Sequence, residues 1–146
     1  MSSTVRFALV IASLLAPVTG MTLAAQQMES VEHVNEFKPF TREAFKQAQA
    51  KGTTTLLFFH APWCPVCKAQ EPKVQAQLNG PHKDVVAFRV DYDSNLALRQ
   101  ELKVDKQSTL ILYQGTKEVA RLSYKSDDES IAAFFSRAAT DVSKGR

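Results

Sequence analysis

Apolar positions along this chain alternate between unbroken short runs and a helical spacing, and that alternation lays out its elements. Thr54–Phe59 is a continuous apolar and β-branched run, the mark of a strand covered on both faces. Val85–Val90 is a second such run and Leu110–Tyr113 a third. Gln114 and Gly115 turn the third run back into Glu118–Leu122, which predicts a hairpin. Between the strands the spacing is helical. Phe40–Phe45 opens a helix in which Thr41 is the cap, Phe40 and Phe45 form a hydrophobic staple, and Gly52 is the left-handed residue that ends it. A second helix runs from Cys64 to about Leu78, is stopped by Asn79-Gly80-Pro81, and holds Pro72 inside it, where a kink is expected. Ser94 caps a short third helix that ends near Leu102. Ser126 and Glu129 form a capping box for the last helix, whose core face is Ile131, Phe134, Phe135 and Ala138. Residues 26–38 are polar, with Val31, Val34 and Phe37 irregularly spaced, and read as a linker with one short edge strand. The order is βαβαβ and then ββα, an α/β fold with a central mixed sheet and helices on both faces.

The chain has 146 residues, enough for one domain with a proper core but not for two. A hydrophobic fraction of 45% and a charged fraction of 23% are ordinary for a globular protein. The net charge of +3 is small and no run of Lys or Arg forms a basic stripe, so nucleic-acid binding is excluded as the function. The N-terminus changes the picture. Arg6 is the only charge before Glu29, and it precedes an apolar run, Phe7–Ala16, that ends near Pro17 and Gly20. That run is too short to span a bilayer comfortably and has the layout of a secretory signal. Residues 1–25 are therefore expected to be cleaved, after Gly20, Ala24 or Ala25, with a retained anchor as the alternative. Their loss removes Arg6 and leaves a mature domain, residues 39–142 behind the linker, in an exported and oxidising compartment, the periplasm.

The chemistry is concentrated in His60-Ala61-Pro62-Trp63-Cys64-Pro65-Val66-Cys67-Lys68, which holds the only two cysteines. A buried strand precedes this run and a helix follows it, so Cys64 lies at a helix N-terminus. There the unpaired N–H groups and the macrodipole favour a thiolate, the nucleophile of disulfide exchange. Cys64 is expected to expose its sulfur, and Cys67 to lie one turn inside. Zinc would need four ligands, or three and a water, and His33, His60 and His82 stand at no zinc-finger spacing. A purely structural disulfide would close a very short loop and gain little.

The chain resembles the thioredoxin superfamily over nearly all of residues 31–140. The resemblance rests on Trp63-Cys64-Pro65-Val66-Cys67-Lys68 after a buried strand and on Pro72 five residues beyond the second cysteine. The strand end Val90-Asp91-Tyr92-Asp93 and Gly115 in the hairpin complete it. It implies a thioredoxin fold and a thiol–disulfide oxidoreductase in which Cys64 attacks and Cys67 resolves. Trp63, Pro65, Val66, Lys68, Ser108 and Thr109 would form the rim that meets a partner protein. No small-molecule cofactor is implied, because electrons pass through the thiols. The partners implied are protein thiols and disulfides, with a membrane or exported electron donor, and a monomer is expected.

Three departures from the family pattern bear on mechanism. Thioredoxins keep a buried Asp beneath the second cysteine, where this chain has Phe58, and Glu71, one turn after Cys67, is the candidate substitute proton acceptor. The family's cis-proline before the strand opposite the site is replaced by Ser108, preceded by Gln107. A cis bond there would cost roughly 2.5–4 kcal/mol, so a trans bond is expected. Ser108 is then placed to donate a hydrogen bond to a Cys64 thiolate, and Ser108→Pro would restore a family-like loop. Loss of the proline also implies that a metal or an iron–sulfur cluster, shared between two chains, can reach the thiols. His60 replaces a bulky aromatic residue and, if protonated, would favour the thiolate; Arg89 would hold a positive charge under Cys67 or serve as a sheet-edge residue. The reading that joins these points is an exported thiol–disulfide oxidoreductase, a reductant or mild exchanger because Pro65-Val66 offers no donor to stabilise a thiolate strongly. Its rivals are a non-catalytic binding module of the same fold and a cluster- or metal-binding electron carrier.

Overall fold

Thr54–His60 (β2) is the strand around which the sheet is laid out, and its five central residues are buried, as a run covered on both faces requires. The computed structural model describes residues 35–144, with side chains through residue 137. The expected signal segment at 1–25, the linker as far as residue 34 and the side chain of Ala138 lie outside the described residues. The elements are β1 (Lys38–Pro39), α1 (Arg42–Ala50), β2, α2 (Pro65–Asn79), β3 (Val86–Asp91), α3 (Leu96–Glu101), β4 (Thr109–Gln114), β5 (Lys117–Ser123) and α4 (Asp128–Lys144). The sheet order is β1-β3-β2-β4-β5. β1 and β2 run parallel to β3, whereas β4 is antiparallel to β2 and to β5. This is the mixed α/β sheet expected, and the short edge strand is β1, at the boundary of the polar segment.

The caps explain most of the element ends. Thr41 accepts the Ala44 N–H at 3.1 Å, and the rings of Phe40 and Phe45 meet at 6.0 Å, so the first helix starts as the staple pattern predicts. Gly52, at φ +68°, donates to Gln49 O and closes that helix. Two predicted caps are displaced by one residue. Ser94 does not cap α3: it turns back to Asp91, bonding Oδ1 through its N–H, and Asn95 takes the cap position. Ser126 does not cap α4: Asp127 Oδ1 accepts the Ser130 N–H at 2.8 Å. In both places several cap-type residues stand together, and the helix starts one residue later than the first of them allows. α2 continues through Pro72, and its buried residues are Cys67, Gln70, Val74 and Leu78. The core joins these to Leu56–Phe59, Phe88, Leu110–Leu112, Ile131, Phe134 and Phe135.

Candidate active site

The dithiol sits where β2 ends and α2 begins. Cys64 is the N-cap of α2, in extended backbone, and its Sγ accepts the Cys67 N–H at 3.1 Å. Pro65 occupies the first helical position, where no N–H is needed. The Cys64 sulfur therefore takes the place that a Ser or Asp oxygen takes at other helix starts. A thiolate there gains a charge-assisted hydrogen bond and the positive end of the dipole. Both cysteines are free thiols and both are fully buried, so the expected exposure of Cys64 is not found. What is exposed is the rim: Trp63 at 56%, with Pro65 and Lys68, while Val66 is half-buried against the core. The Trp63 indole N–H is held by Asp93 Oδ2 at 2.8 Å. The two thiols differ in their surroundings. Burial first, and then the hydrogen bond with Cys64, push the Cys67 thiol up to about 11, against weaker opposition from the backbone N–H groups of Ala61 and Ser108.

Ser108 is where the sequence reading needs most correction. Its preceding bond is trans, as expected, but the residue is fully buried and adopts φ +57°. Its hydroxyl donates to Gln70 Oε1 at 3.0 Å and not to Cys64. Its N–H donates to Phe59 O at 2.8 Å, and its carbonyl accepts from Tyr124 N–H at 2.9 Å. A proline at this position can neither reach φ +57° nor make the bond to Phe59, so Ser108→Pro would dismantle the loop it was expected to restore. Thr109 is also buried rather than on the rim, its hydroxyl donating to Lys106 O at 2.7 Å. Gln70 is the buried polar residue against this loop that sequence reasoning missed. It is fully buried, and its Nε2 donates to Lys125 O at 2.6 Å and reaches Ser108 O at 3.5 Å. A polar residue at position 70, on the helix face shared by Cys67 and Val74, was the available signal.

The acid and base candidates gather on the other side of α2. Glu71 pairs with Arg89 through Oε1, while its Oε2 lies 3.3 Å from His60 Nε2. Arg89 and His60 thus engage both carboxylate oxygens of Glu71, the candidate proton acceptor. Burial, followed by the positive charge of Arg89, holds His60 below its ordinary range. At neutral pH the imidazole is uncharged and adds no positive field to the thiols. Arg89 lies on β3 between two other strands, not at an edge, with its guanidinium 5.2 Å from the Phe37 ring. Phe58, where the family's buried Asp would be, packs its ring against Phe37 and His60 at 5.5 and 5.3 Å. Glu71, His60, Arg89 and Phe37 line a groove of about 780 Å³ that neither cysteine borders. Among the described residues, no three His, Cys, Asp or Glu side chains converge as a metal site.

The family model described as thioredoxin matches residues 36–137. The chain belongs to the thioredoxin family. The thioredoxin of Chlamydia trachomatis (serovar D) is 33% identical over 98 residues, which is 66% of this chain and 93% of that protein. Rice thioredoxin H2-1 is 35% identical over 81 residues, and the chain spans 58% of its length. Among solved structures, Trxlp from Edwardsiella tarda EIB202 is 37% identical with a TM-score of 0.65, covering 68% of this chain and 97% of that one. With the Cys64/Cys67 pair at the start of α2, this thioredoxin-family chain is a thiol–disulfide oxidoreductase acting on protein thiols and disulfides.

Proposed function

We propose that the protein is exported to the periplasm, loses its first 25 or so residues, and works there as a monomeric reductant or mild exchanger of disulfides in partner proteins. The observation that carries the direction is the dipeptide between the cysteines: Pro65-Val66 carries no charge and no side-chain donor that could stabilise the Cys64 thiolate strongly, unlike a strong oxidant, whose reduced form is stabilised. Cys64 thiolate attacks one sulfur of a client disulfide. The client S–S bond breaks as the mixed disulfide forms, and the other client sulfur leaves as a thiolate that takes a proton from solvent. Cys67 then attacks Cys64 Sγ, giving up its proton to the second departing client sulfur. The client gains two electrons and ends as a dithiol, and the Cys64–Cys67 disulfide is reset by a dithiol donor in the membrane or the same compartment.

Cys64→Ser is expected to abolish exchange, and Cys67→Ser to accumulate mixed disulfides that reductant releases. Alkylation of the reduced protein at mildly acidic pH is expected to label Cys64 first; labelling of Cys67 first overturns the assignment. A reduction potential near about −270 mV against glutathione supports the reductant reading, and one near about −120 mV rejects it. Intact mass of protein from the exported fraction tests the cleavage, which fails if Arg6 is retained.

A further inference from the structure

Among the described residues, three that are not glycine have a positive φ: Lys103, Ser108 and Tyr124. Lys103 needs no functional explanation, since it follows the end of α3 and Val104 N–H bonds Arg99 O in the manner of an ordinary helix stop. The other two are bonded to each other. Tyr124 N–H donates to Ser108 O, and the Ser108 hydroxyl is bonded to Gln70, which lies on the buried face of α2 one turn beyond Cys67. Two strained residues thus meet beside the dithiol. For a bulky aromatic residue the left-handed region is unfavourable, and such a conformation persists only where its surroundings hold it.

Gln70 braces the backbone on either side of this contact. Its single side-chain amide engages the Ser108 hydroxyl, the Ser108 carbonyl and the Lys125 carbonyl, so it ties α2, the loop before β4 and the segment after β5 into one unit. The result is an aromatic side chain left 49% exposed. Large exposed apolar side chains are few among the described residues: Trp63, Leu96 and Tyr124. Two of the three belong to segments that border the thiols, Trp63 directly before Cys64 and Tyr124 bonded to Ser108. Since both sulfurs are buried, a client has to press against this border to reach them.

We propose that Tyr124 is a specificity-determining residue, fixed by Gln70, that selects client segments carrying an apolar or aromatic side chain beside the disulfide cysteine. The proposal rests on the exchange reading above and adds the substrate class to it. Exchange proceeds by the same two displacements, and Tyr124 contributes contact with the client alone. Gln70 acts through Tyr124 and is a positioning residue.

The test compares three probes with the reduced, full-length domain: hydroxyethyl disulfide, which has no side chains, and two disulfide-linked peptides differing only in Phe or Ser beside the cysteine. Trp63, the single tryptophan, reports the reaction. Wild type is expected to favour the Phe peptide. Tyr124→Gly is expected to cut the rate with the Phe peptide about fivefold, a contact of aromatic-pair size, and to leave hydroxyethyl disulfide within about twofold. Its thermal midpoint should be equal to wild type or higher, because glycine relieves the strain. Tyr124→Phe should retain the preference. Gln70→Met should weaken the Phe-peptide reaction in wild type but add nothing in the Tyr124→Gly background, as expected of a residue acting through Tyr124. Equal losses with all three probes, or no loss with the Phe peptide, overturn the proposal. Failure of wild type to react with hydroxyethyl disulfide overturns instead the exchange reading beneath it.

Discussion

The two flanks of α2 solve opposite problems with opposite materials. On one side Glu71, Arg89 and His60 form a partly exposed charged cluster above Phe58, open to a groove. On the other, Gln70, Ser108 and the Lys125 carbonyl form a buried neutral network against the loop that faces Cys67. The charged flank has the residue types usually associated with catalysis, and there Glu71 pairs with Arg89 and lies against His60. The neutral flank has none of those types but holds the backbone around the sulfur. Exposed charges give little positional control because water competes for them, whereas a buried amide left unpaired costs about 1–3 kcal/mol and so enforces its geometry.

The largest effect should come from breaking the neutral flank. Ser108→Pro removes the N–H bonded to Phe59 O, forces φ away from +57° and detaches the Gln70 amide. A loss of about 3 kcal/mol or more is expected in urea unfolding, with Ser108→Ala losing only about 1 kcal/mol. If Ser108→Pro unfolds at the wild-type midpoint, the loop tolerates a second conformation and its rigidity is no part of the site.

The same contrast explains what could be read from the chain beforehand. The strands, the helices and the dithiol were legible because each is written in contiguous residues: a buried run, a helical spacing, a Cys pair at a turn. Ser94 and Ser126 were misplaced as caps by one residue because Asn95 and Asp127, directly beside them, are cap-type residues too, and residue type does not choose between neighbours. Ser108 was recognised as a departure, but its conformation depends on Gln70 and Tyr124, which are distant in sequence. Glu71 was legible as a carboxylate one turn from Cys67; that Arg89 and His60 would engage it follows only from the packing of α2 across β2 and β3.

A second effect lies between the flanks, at Cys67 itself. A thiol is neutral when protonated, so a value raised from 9.0 to about 11 means that the folded protein holds the proton more tightly than the unfolded chain. The stability this contributes is complete below about pH 9 and is lost as pH rises toward about 11. Unfolding of the reduced protein followed across that window should decline more steeply for wild type than for Cys67→Ala. Parallel curves would mean that the thiol is not held in the buried, Cys64-bonded state described.

The smallest effect should come from the charged flank, and it is the sharpest check on the comparison. Glu71→Gln keeps a hydrogen-bond acceptor for Arg89 and the stacking of Arg89 over Phe37, and removes one charge from a pair that is about a third exposed on each side. Pairs of that kind contribute under about 1 kcal/mol, and less in high salt. The exchange rate at neutral pH should stay within about twofold of wild type, because no group in contact with either sulfur has changed. The pH profile of the resolving step, followed as decay of the mixed disulfide, should also be unmoved. A drop of tenfold or more together with a displaced profile would show Glu71 taking the Cys67 proton once a client is bound. The charged flank would then be the chemical one, and the neutral flank only its scaffold.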